Sequence, residues 1–258
     1  MNLLLDVGAR PVIAHRGGRA HGPENTLEAM RMGLAAGADA IELDVHSSAD
    51  GEIVVIHDPK VDRTTDGTGV VEEMTLADLG SLDAGSRFRG VPGWFSGGPC
   101  RIPTLAQVLQ SFPATPLIIE VKTPVASALT RSLIERHGAA GRCLVDSFHA
   151  EALETFHGSG IAHGPSRDGV ARLIARSFLG TRWPAVEVDA ICIPRRYRGF
   201  PLPVERIAAL LRREGKPTHI WTVNDASEAA FLWRLGICGM VTDDVPAIVA
   251  ARRAFRKD

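Results

Sequence analysis

Ile41-Glu42-Leu43-Asp44-Val45-His46 is the stretch of sequence on which the prediction of the fold depends. Side chains alternate between the two faces of a strand, so Glu42 and Asp44 share one face and the aliphatic residues share the other. Two carboxylates about 4 Å apart at an effective dielectric near 20 repel by roughly 4 kcal/mol. A solvated strand face with ordinary surface charges is the simpler interpretation. The repulsion favours a positive charge between the two, and a divalent cation is the hypothesis.

A second short strand, 53–57, follows the pair Asp50-Gly51. Asp-Gly is typical of a two-residue hairpin turn. A turn centred on this pair sets Asp44 opposite His57. We therefore expect Glu42, Asp44 and His57 to form one small patch.

Strand-like and helix-like segments alternate along the rest of the chain. Nine strand-like runs are present, and eight remain when 53–57 is taken as the return arm of a hairpin. Eight strands close a parallel barrel, which commonly has about 250 residues. We predict an α/β fold, a (β/α)8 TIM barrel, rather than an open doubly wound sheet, because no glycine-rich dinucleotide loop follows a strand. The carboxyl ends of the strands then form the active face, with His15, Asp44, Glu120, Lys122 and Asn224 on it.

The domain organisation follows from the same alternation. Residues 1–258 are predicted to form one domain, and residues 59–101, rich in turn formers, are predicted to be a small inserted subdomain after His57. Within it, Trp94 and Phe95 either face the substrate or plug the core of the subdomain. The two interpretations have equal weight.

Composition restricts the partners and the location. The formal net charge is −1 and the pI is 6.8, so no general attraction to nucleic acid or anionic lipid is expected. The four cysteines form no CxxC pair, so neither a zinc site nor a disulfide framework is indicated. Three of them lie in apolar strand-like runs, which predicts buried thiols. No signal peptide and no long apolar run are visible, so we expect a cytoplasmic protein with a small-molecule substrate and no stable membrane association. Both a monomer and a homo-oligomer remain open.

The charged residues at the predicted barrel mouth suit phosphoryl transfer. Three carboxylates favour Mg²⁺ or Ca²⁺, two cations are available for a phosphate, and two histidines for acid and base catalysis. These are Glu42, Asp44 and Glu120; Arg16 and Lys122; and His15 and His57. Each has a structural alternative, since a lone histidine is usually a hydrogen-bonded core residue and Lys122 can simply pair with Glu120.

These residues and their neighbours resemble the motifs of the glycerophosphodiester phosphodiesterase family. The resemblance covers nearly the whole chain, and the order and spacing of its motifs make it specific. The motifs are His15-Arg16-Gly17, Pro23-Glu24-Asn25-Thr26, Glu42-Leu43-Asp44-Val45, His57-Asp58, Arg63-Thr64-Thr65, Ile102-Pro103-Thr104-Leu105, Glu120-Val121-Lys122, Ser147-Phe148, Trp221-Thr222-Val223-Asn224 and Val241-Thr242-Asp243-Asp244.

The resemblance implies a barrel in which a divalent metal, Mg²⁺ or Ca²⁺, is held by three carboxylates and two histidines act as general acid and base. It also implies that two cationic side chains bind the phosphate and that Trp221 forms part of the wall of a glycerol pocket. The implied reaction is hydrolysis of glycerophosphodiesters, which are deacylated phospholipids, to sn-glycerol 3-phosphate and an alcohol. The residues implied to hold the metal are Glu42, Asp44 and Glu120, the acid and base are His15 and His57, and the phosphate-binding cations are Arg16 and Lys122.

Two other functions are compatible with the same residues. One is a related lysophospholipase D or a phospholipase of the phosphatidylinositol or sphingomyelinase type. Such an enzyme needs an apolar rim or docking loop, for which Trp94-Phe95 is the candidate in the sequence. The other is a non-catalytic barrel that binds a phosphodiester, although binding alone does not require a paired acid and base.

Overall fold

The computed structural model describes residues 2–180 and 185–255. The strands are β1 (Val12–His15), β2 (Ala40–Ser47), β3 (Ile53–Val55), β4 (Leu117–Val121), β5 (Cys143–Asp146), β6 (Ala162–His163), β7 (Ile191–Pro194), β8 (Arg196–Tyr197), β9 (Phe200–Pro201), β10 (Thr218–Trp221) and β11 (Gly239–Thr242). The α-helices are α1 (Leu27–Ala35), α2 (Leu76–Ser81), α3 (Leu105–Ser111), α4 (Ser127–Arg136), α5 (Ala150–Glu154), α6 (Arg167–Leu179), α7 (Val204–Arg213), α8 (Ala226–Arg234) and α9 (Val245–Phe255).

The main sheet contains eight parallel strands in the order β6-β5-β4-β2-β1-β11-β10-β7. The first and last strands of the chain, β1 and β11, are hydrogen-bonded neighbours, as closure of a barrel requires. Between β6 and β7 the described residues form no ladder, but the backbone N–H of Asp189 donates to the carbonyl of His163 at 3.0 Å. The predicted (β/α)8 TIM barrel is confirmed.

Alternating side chains divide the hydrophobic core into two layers. Ile13, Ile118 and Val241 belong to a cluster with Leu4, which comes from the 3₁₀ turn Leu3–Leu5. The other faces of the strands pack with the helices, where Ile41, Leu43 and Val45 join residues of α3 and α4. Glu42 and Asp44 therefore lie on the same face of β2 as Ala40, which belongs to the cluster around Leu4.

The hairpin of β2 and β3 differs from its predicted register by one residue. Its loop has three residues, 49–51, because Ser48 pairs with Glu52 and Gly51 adopts a φ of 84° that completes the turn. Val45 therefore pairs with Val55. Asp44 lies opposite Ile56, and the prediction that it lies opposite His57 was wrong.

The segment between β3 and α3 carries small elements and a core of its own. It contains the 3₁₀ turn Val71–Glu73 and α2, which begins at a capping box formed by Thr75 and Asp78. Phe95 packs against the buried cluster of this segment, whereas Trp94 is 42% exposed and its ring lies 4.3 Å from that of His21. The two aromatic residues thus have different environments.

Thr26 caps α1 and Thr104 caps α3. All four cysteines are free and buried, which confirms the prediction of buried thiols. The short hairpin of β8 and β9 was not predicted. In the part of the chain that the structure describes, none of the helices has the length and apolar character needed to cross a membrane.

Candidate active site

The three carboxylates that were singled out in the sequence lie together at the carboxyl end of the barrel. Asp44 on β2 and Glu120 on β4 are register partners, and Glu42 precedes Asp44 by one position on the same face. One oxygen atom of each residue lies within 4.8 Å of the others. Glu42 is 7% exposed and Asp44 1%. The strand pairing therefore concentrates three acidic groups in a buried space.

Lys122 and Arg16 neutralise part of this charge. The Lys122 Nζ atom lies 2.7 Å from Asp44 Oδ1 and 2.7 Å from Glu120 Oε1. The Arg16 Nε atom lies 3.3 Å from Asp44 Oδ2. Burial alone would raise the pKa of Asp44, but these two cations outweigh it and hold that pKa below its ordinary value. The pairing of Lys122 with Glu120 that was considered as an alternative is present, and it includes Asp44 as well.

Glu42 has weaker compensation. Its Oε2 accepts the backbone N–H of Arg16 at 3.0 Å, and the His15 Nε2 atom lies 3.9 Å away. Burial, and then the charge of Asp44, raise the pKa of Glu42 to about 7. Three carboxylates thus face two permanent cations in one pocket. An additional hard cation with oxygen ligands fits this donor set and its remaining negative charge.

His15 lies between two carboxylates. Its Nδ1 is 2.6 Å from Asp243 Oδ1, which leaves Nε2 directed toward Glu42. Asp243 is itself held by Asn224, whose side-chain amide donates to Oδ2 at 3.1 Å. Although burial opposes it, the hydrogen bond from His15 lowers the pKa of Asp243 to about 2. Asp243 therefore stays charged and orients the imidazole of His15.

His57 has a similar partner in a more open environment. Its Nδ1 lies 2.6 Å from Asp58 Oδ1, and Arg63 donates from Nε to the other oxygen of Asp58 at 2.6 Å. Burial lowers the pKa of His57, although the nearby charge of Asp44 opposes this shift. The register of the hairpin differs from the prediction, but His57 still lies close enough to Asp44 for the two charges to influence each other.

Glu24 and Asn25 connect the two halves of the site, and the sequence analysis assigned neither of them to it. Glu24 accepts hydrogen bonds from Arg16 at 2.8 Å and from Arg63 through two nitrogens at 2.8 Å each. Asn25 donates to Asp44 Oδ2 at 2.9 Å. Asp243 was also missed as the partner of His15. Barrel closure was the signal for it, because strands β1 and β11 are neighbours, β1 ends at His15, and Asp243 directly follows β11.

Trp221 lies at the end of β10, on the same face of the barrel. Its indole N–H donates to the carbonyl of Cys192 at 3.2 Å, and its ring packs edge-on at 6.5 Å from Phe148. Together with Glu120 it lines a cavity beside the carboxylates. Asp146 lines the same cavity, and burial followed by the charge of Glu120 raises its pKa well above the ordinary value.

Known proteins show the same pattern over most of this chain. The family model described as the glycerophosphoryl diester phosphodiesterase family matches residues 15–247. A glycerophosphodiester phosphodiesterase of Bacillus subtilis is 29% identical over 248 residues, covering 90% of this chain and 82% of its own. One from Caldanaerobacter subterraneus is 28% identical over 251 residues, covering 92% of this chain and 96% of its own.

Solved structures agree with these sequence matches. The crystal structure of a glycerophosphodiester phosphodiesterase from Agrobacterium tumefaciens has a TM-score of 0.74 at 27% identity, covering 93% of this chain and 99% of its own. A phosphodiesterase of Oleispira antarctica in complex with the product sn-glycerol-3-phosphate has a TM-score of 0.74 at 27% identity, covering 95% of this chain and 98% of its own. The chain belongs to the glycerophosphoryl diester phosphodiesterase family.

Proposed function

We propose that the protein hydrolyses glycerophosphodiesters to sn-glycerol 3-phosphate and an alcohol with the help of a divalent cation, Mg²⁺ or Ca²⁺. The observation that carries the proposal is the convergence, at one end of the barrel, of two aspartate-paired histidines with three carboxylates and two cations. Binding alone does not need two oriented imidazoles, which favours an enzyme over a silent phosphodiester-binding barrel. The product bound to the related phosphodiesterase of Oleispira antarctica is in accord with this reaction.

In this proposal Glu42, Asp44 and Glu120 would hold the cation. When bound, the ion would polarise the phosphoryl oxygens and stabilise the charge that develops on them. Arg16 and Lys122 are the remaining cations of the pocket and would contact the phosphate.

The two histidines would move the protons. Because burial lowers the pKa of His57, its imidazole is neutral at pH 7, and its Nε2 can accept a proton from the attacking nucleophile. His15 lies between two carboxylates, with Nδ1 at 2.6 Å from Asp243 and Nε2 at 3.9 Å from Glu42. Since His57 takes the part of the base, His15 is assigned as the acid that protonates the leaving alcohol, and Trp221 as a wall of the glycerol pocket.

The remaining predictions from the sequence belong to the same proposal. The chain would act as one phosphodiesterase domain, with residues 59–101 inserted in it and contributing Arg63 to the support of Asp58. A cytoplasmic location stays a prediction from the sequence.

The test is release of sn-glycerol 3-phosphate from glycerophosphocholine and glycerophosphoethanolamine. We expect turnover that chelator abolishes and that added Mg²⁺ or Ca²⁺ restores, and no turnover by Glu120→Ala. Turnover that is unaffected by chelator, or full activity of Glu120→Ala, would remove the metal from the proposal. Failure to hydrolyse any phosphodiester in the presence of either ion would overturn the proposed reaction.

A further inference from the structure

An apolar cavity of about 220 Å³ opens beside the carboxylates, between the ends of β5, β7 and β10 and the helix α6. It shares Glu120 and Trp221 with the candidate active site. The rest of its wall is mainly apolar and includes Phe148, Ile174 and Leu202. Apolar surface left open next to a charged site indicates a ligand with an apolar part.

The opposite flank of the site has a different character. A cavity of about 430 Å³ there is lined by the four arginines Arg19, Arg63, Arg87 and Arg89, with Glu24 and Asp243 among its acidic residues. Glu24 and Asp243 also belong to the hydrogen-bond networks of the proposed catalytic histidines. One flank therefore offers charged and polar groups, and the other offers aliphatic and aromatic surface. A substrate that matches both flanks has a polar head group and an apolar part on either side of its phosphate.

We propose that the apolar cavity binds the single acyl chain of a lysophospholipid whose phosphodiester is cleaved at the proposed site. This inference rests on the proposed function and extends its substrate class. The chain is placed on the glycerol because Trp221, the proposed wall of the glycerol pocket, also lines this cavity. The cavity is smaller than the pockets of about 300 to 1,000 Å³ that hold most small ligands, which favours one chain over the two of a diacyl lipid.

The hairpin of β8 and β9 extends the apolar surface beyond the cavity. Tyr197 lines the cavity, and its partner across the hairpin is Phe200. Residues directly opposite each other on an antiparallel pair project to the same side. Phe200 is 76% exposed, so an apolar side chain is presented to solvent beside Tyr197. A chain longer than the cavity would meet this residue on leaving it.

The chemistry balances with water as the only co-reactant. The water oxygen forms a bond to phosphorus, the ester bond between phosphorus and the head-group alcohol breaks, and the leaving oxygen takes a proton. The products are a monoacylglycerol 3-phosphate and the free alcohol.

The experiment compares kcat/KM for glycerophosphocholine with that for lysophosphatidylcholines carrying butanoyl, hexanoyl and octanoyl chains, all below their micellar concentrations. We expect kcat/KM to rise by about fourfold for each methylene that enters the cavity, which is the equivalent of roughly 0.8 kcal/mol. The rise is expected to stop when the cavity is full. Equal values for all chain lengths would overturn the inference while leaving the proposed function intact.

Ala171→Trp and Arg172→Trp form a matched pair of variants on α6. Both residues are exposed, but Ala171 lines the apolar cavity, whereas the neighbouring Arg172 lines a different, polar cavity. We expect Ala171→Trp to abolish the increase with chain length and Arg172→Trp to preserve it. The ratio of lysolipid to glycerophosphocholine turnover is measured within each variant, so that a general loss of activity cancels. The same increase in both variants would overturn the inference.

A binding measurement keeps the inference testable if no phosphodiester is turned over. Alkylphosphocholines of increasing chain length are titrated calorimetrically into the wild type and the two variants. Affinity that increases with chain length in the wild type and Arg172→Trp, but not in Ala171→Trp, supports the cavity as the chain site even if the proposed reaction has failed. Affinity that is independent of chain length in all three proteins contradicts it.

Discussion

His15 and His57 lie in two regions of the barrel mouth that provide the same contact by different means. In each region an aspartate oxygen lies 2.6 Å from Nδ1 and leaves Nε2 for the site. The aspartate of His15 comes from the end of a neighbouring barrel strand, and His15 is buried. The aspartate of His57 is the next residue in the chain, and a third of the His57 side chain is exposed.

This difference indicates that the barrel itself fixes the orientation of His15 and that local sequence fixes the orientation of His57. Asp243 is secured by Asn224 and Arg19, both of which lie at the carboxyl end of the barrel. Asp58 is secured by Arg63, which belongs to the segment after β3. Substitutions in the first region are therefore expected to cost more than equivalent substitutions in the second.

Removing either histidine is expected to have the largest effect. His15→Ala and His57→Ala should each lower kcat by about 10² to 10⁴-fold, because each removes one proton transfer from the proposed reaction. Steady-state hydrolysis of glycerophosphocholine measures the loss. His149→Ala is the control, since His149 is exposed near the same end of the barrel. Activity of His15→Ala equal to that of the control would exclude His15 from catalysis.

Asp243→Asn is expected to have the next largest effect. The substitution removes the charge that orients His15, and partners of this kind are typically worth about 10- to 100-fold. The decrease should appear in kcat rather than in KM. Asp244→Asn is the matched control, because Asp244 is adjacent in sequence but contacts His21 instead. An equal decrease in both variants would show that the effect is not specific to His15.

Asp58→Asn is expected to shift the pH profile of kcat/KM more than it lowers the maximum of that profile. Burial lowers the pKa of His57, and the hydrogen bond that His57 donates to Asp58 opposes this shift, so its loss should lower that pKa further. The neutral base then persists to lower pH, and the acidic limb of kcat/KM should shift downward. Arg63→Gln leaves the Asp58 carboxylate beside His57 and should shift the limb less. An upward shift in Asp58→Asn would argue against His57 as the base.

The sequence was sufficient to predict the barrel and the residues at its mouth. Alternating strands and helices determined the fold class, and strand periodicity placed Glu42 and Asp44 together on one face of β2. Glu42 and Asp44 belong to the same strand, so the pattern of β2 alone was enough to predict that their side chains lie together. Lys122 and Glu120 were placed together by the same argument applied to β4.

Features that depend on distant parts of the chain were not predicted. The contact of His15 with Asp243 joins residues 228 positions apart and depends on closure of the barrel. The hairpin register was wrong because the loop has three residues, and one additional loop residue changes every pair. The apolar cavity combines side chains from α6, β7, β10 and the β8–β9 hairpin, and no local pattern in the sequence indicates such an assembly.

The buried carboxylates are proposed to bind a divalent cation, and thermal unfolding tests this proposal without relying on activity. Burial raises the pKa of Glu42 from 4.5 to about 7, so the folded state binds its proton more tightly than the unfolded state. Without metal, the free energy of unfolding should therefore fall as pH rises from about 4.5 to about 7, by up to about 3 kcal/mol. Glu42→Gln should lack this decrease.

The decisive measurement compares the wild type and Glu42→Gln at pH 8, with and without Mg²⁺ or Ca²⁺. Without metal, Glu42→Gln should be the more stable protein. A metal concentration about 100 times the dissociation constant should stabilise the wild type by about 2.7 kcal/mol and Glu42→Gln by much less. Equal stabilisation of both proteins, or none in the wild type with either ion, would contradict the claim that these carboxylates form a metal site.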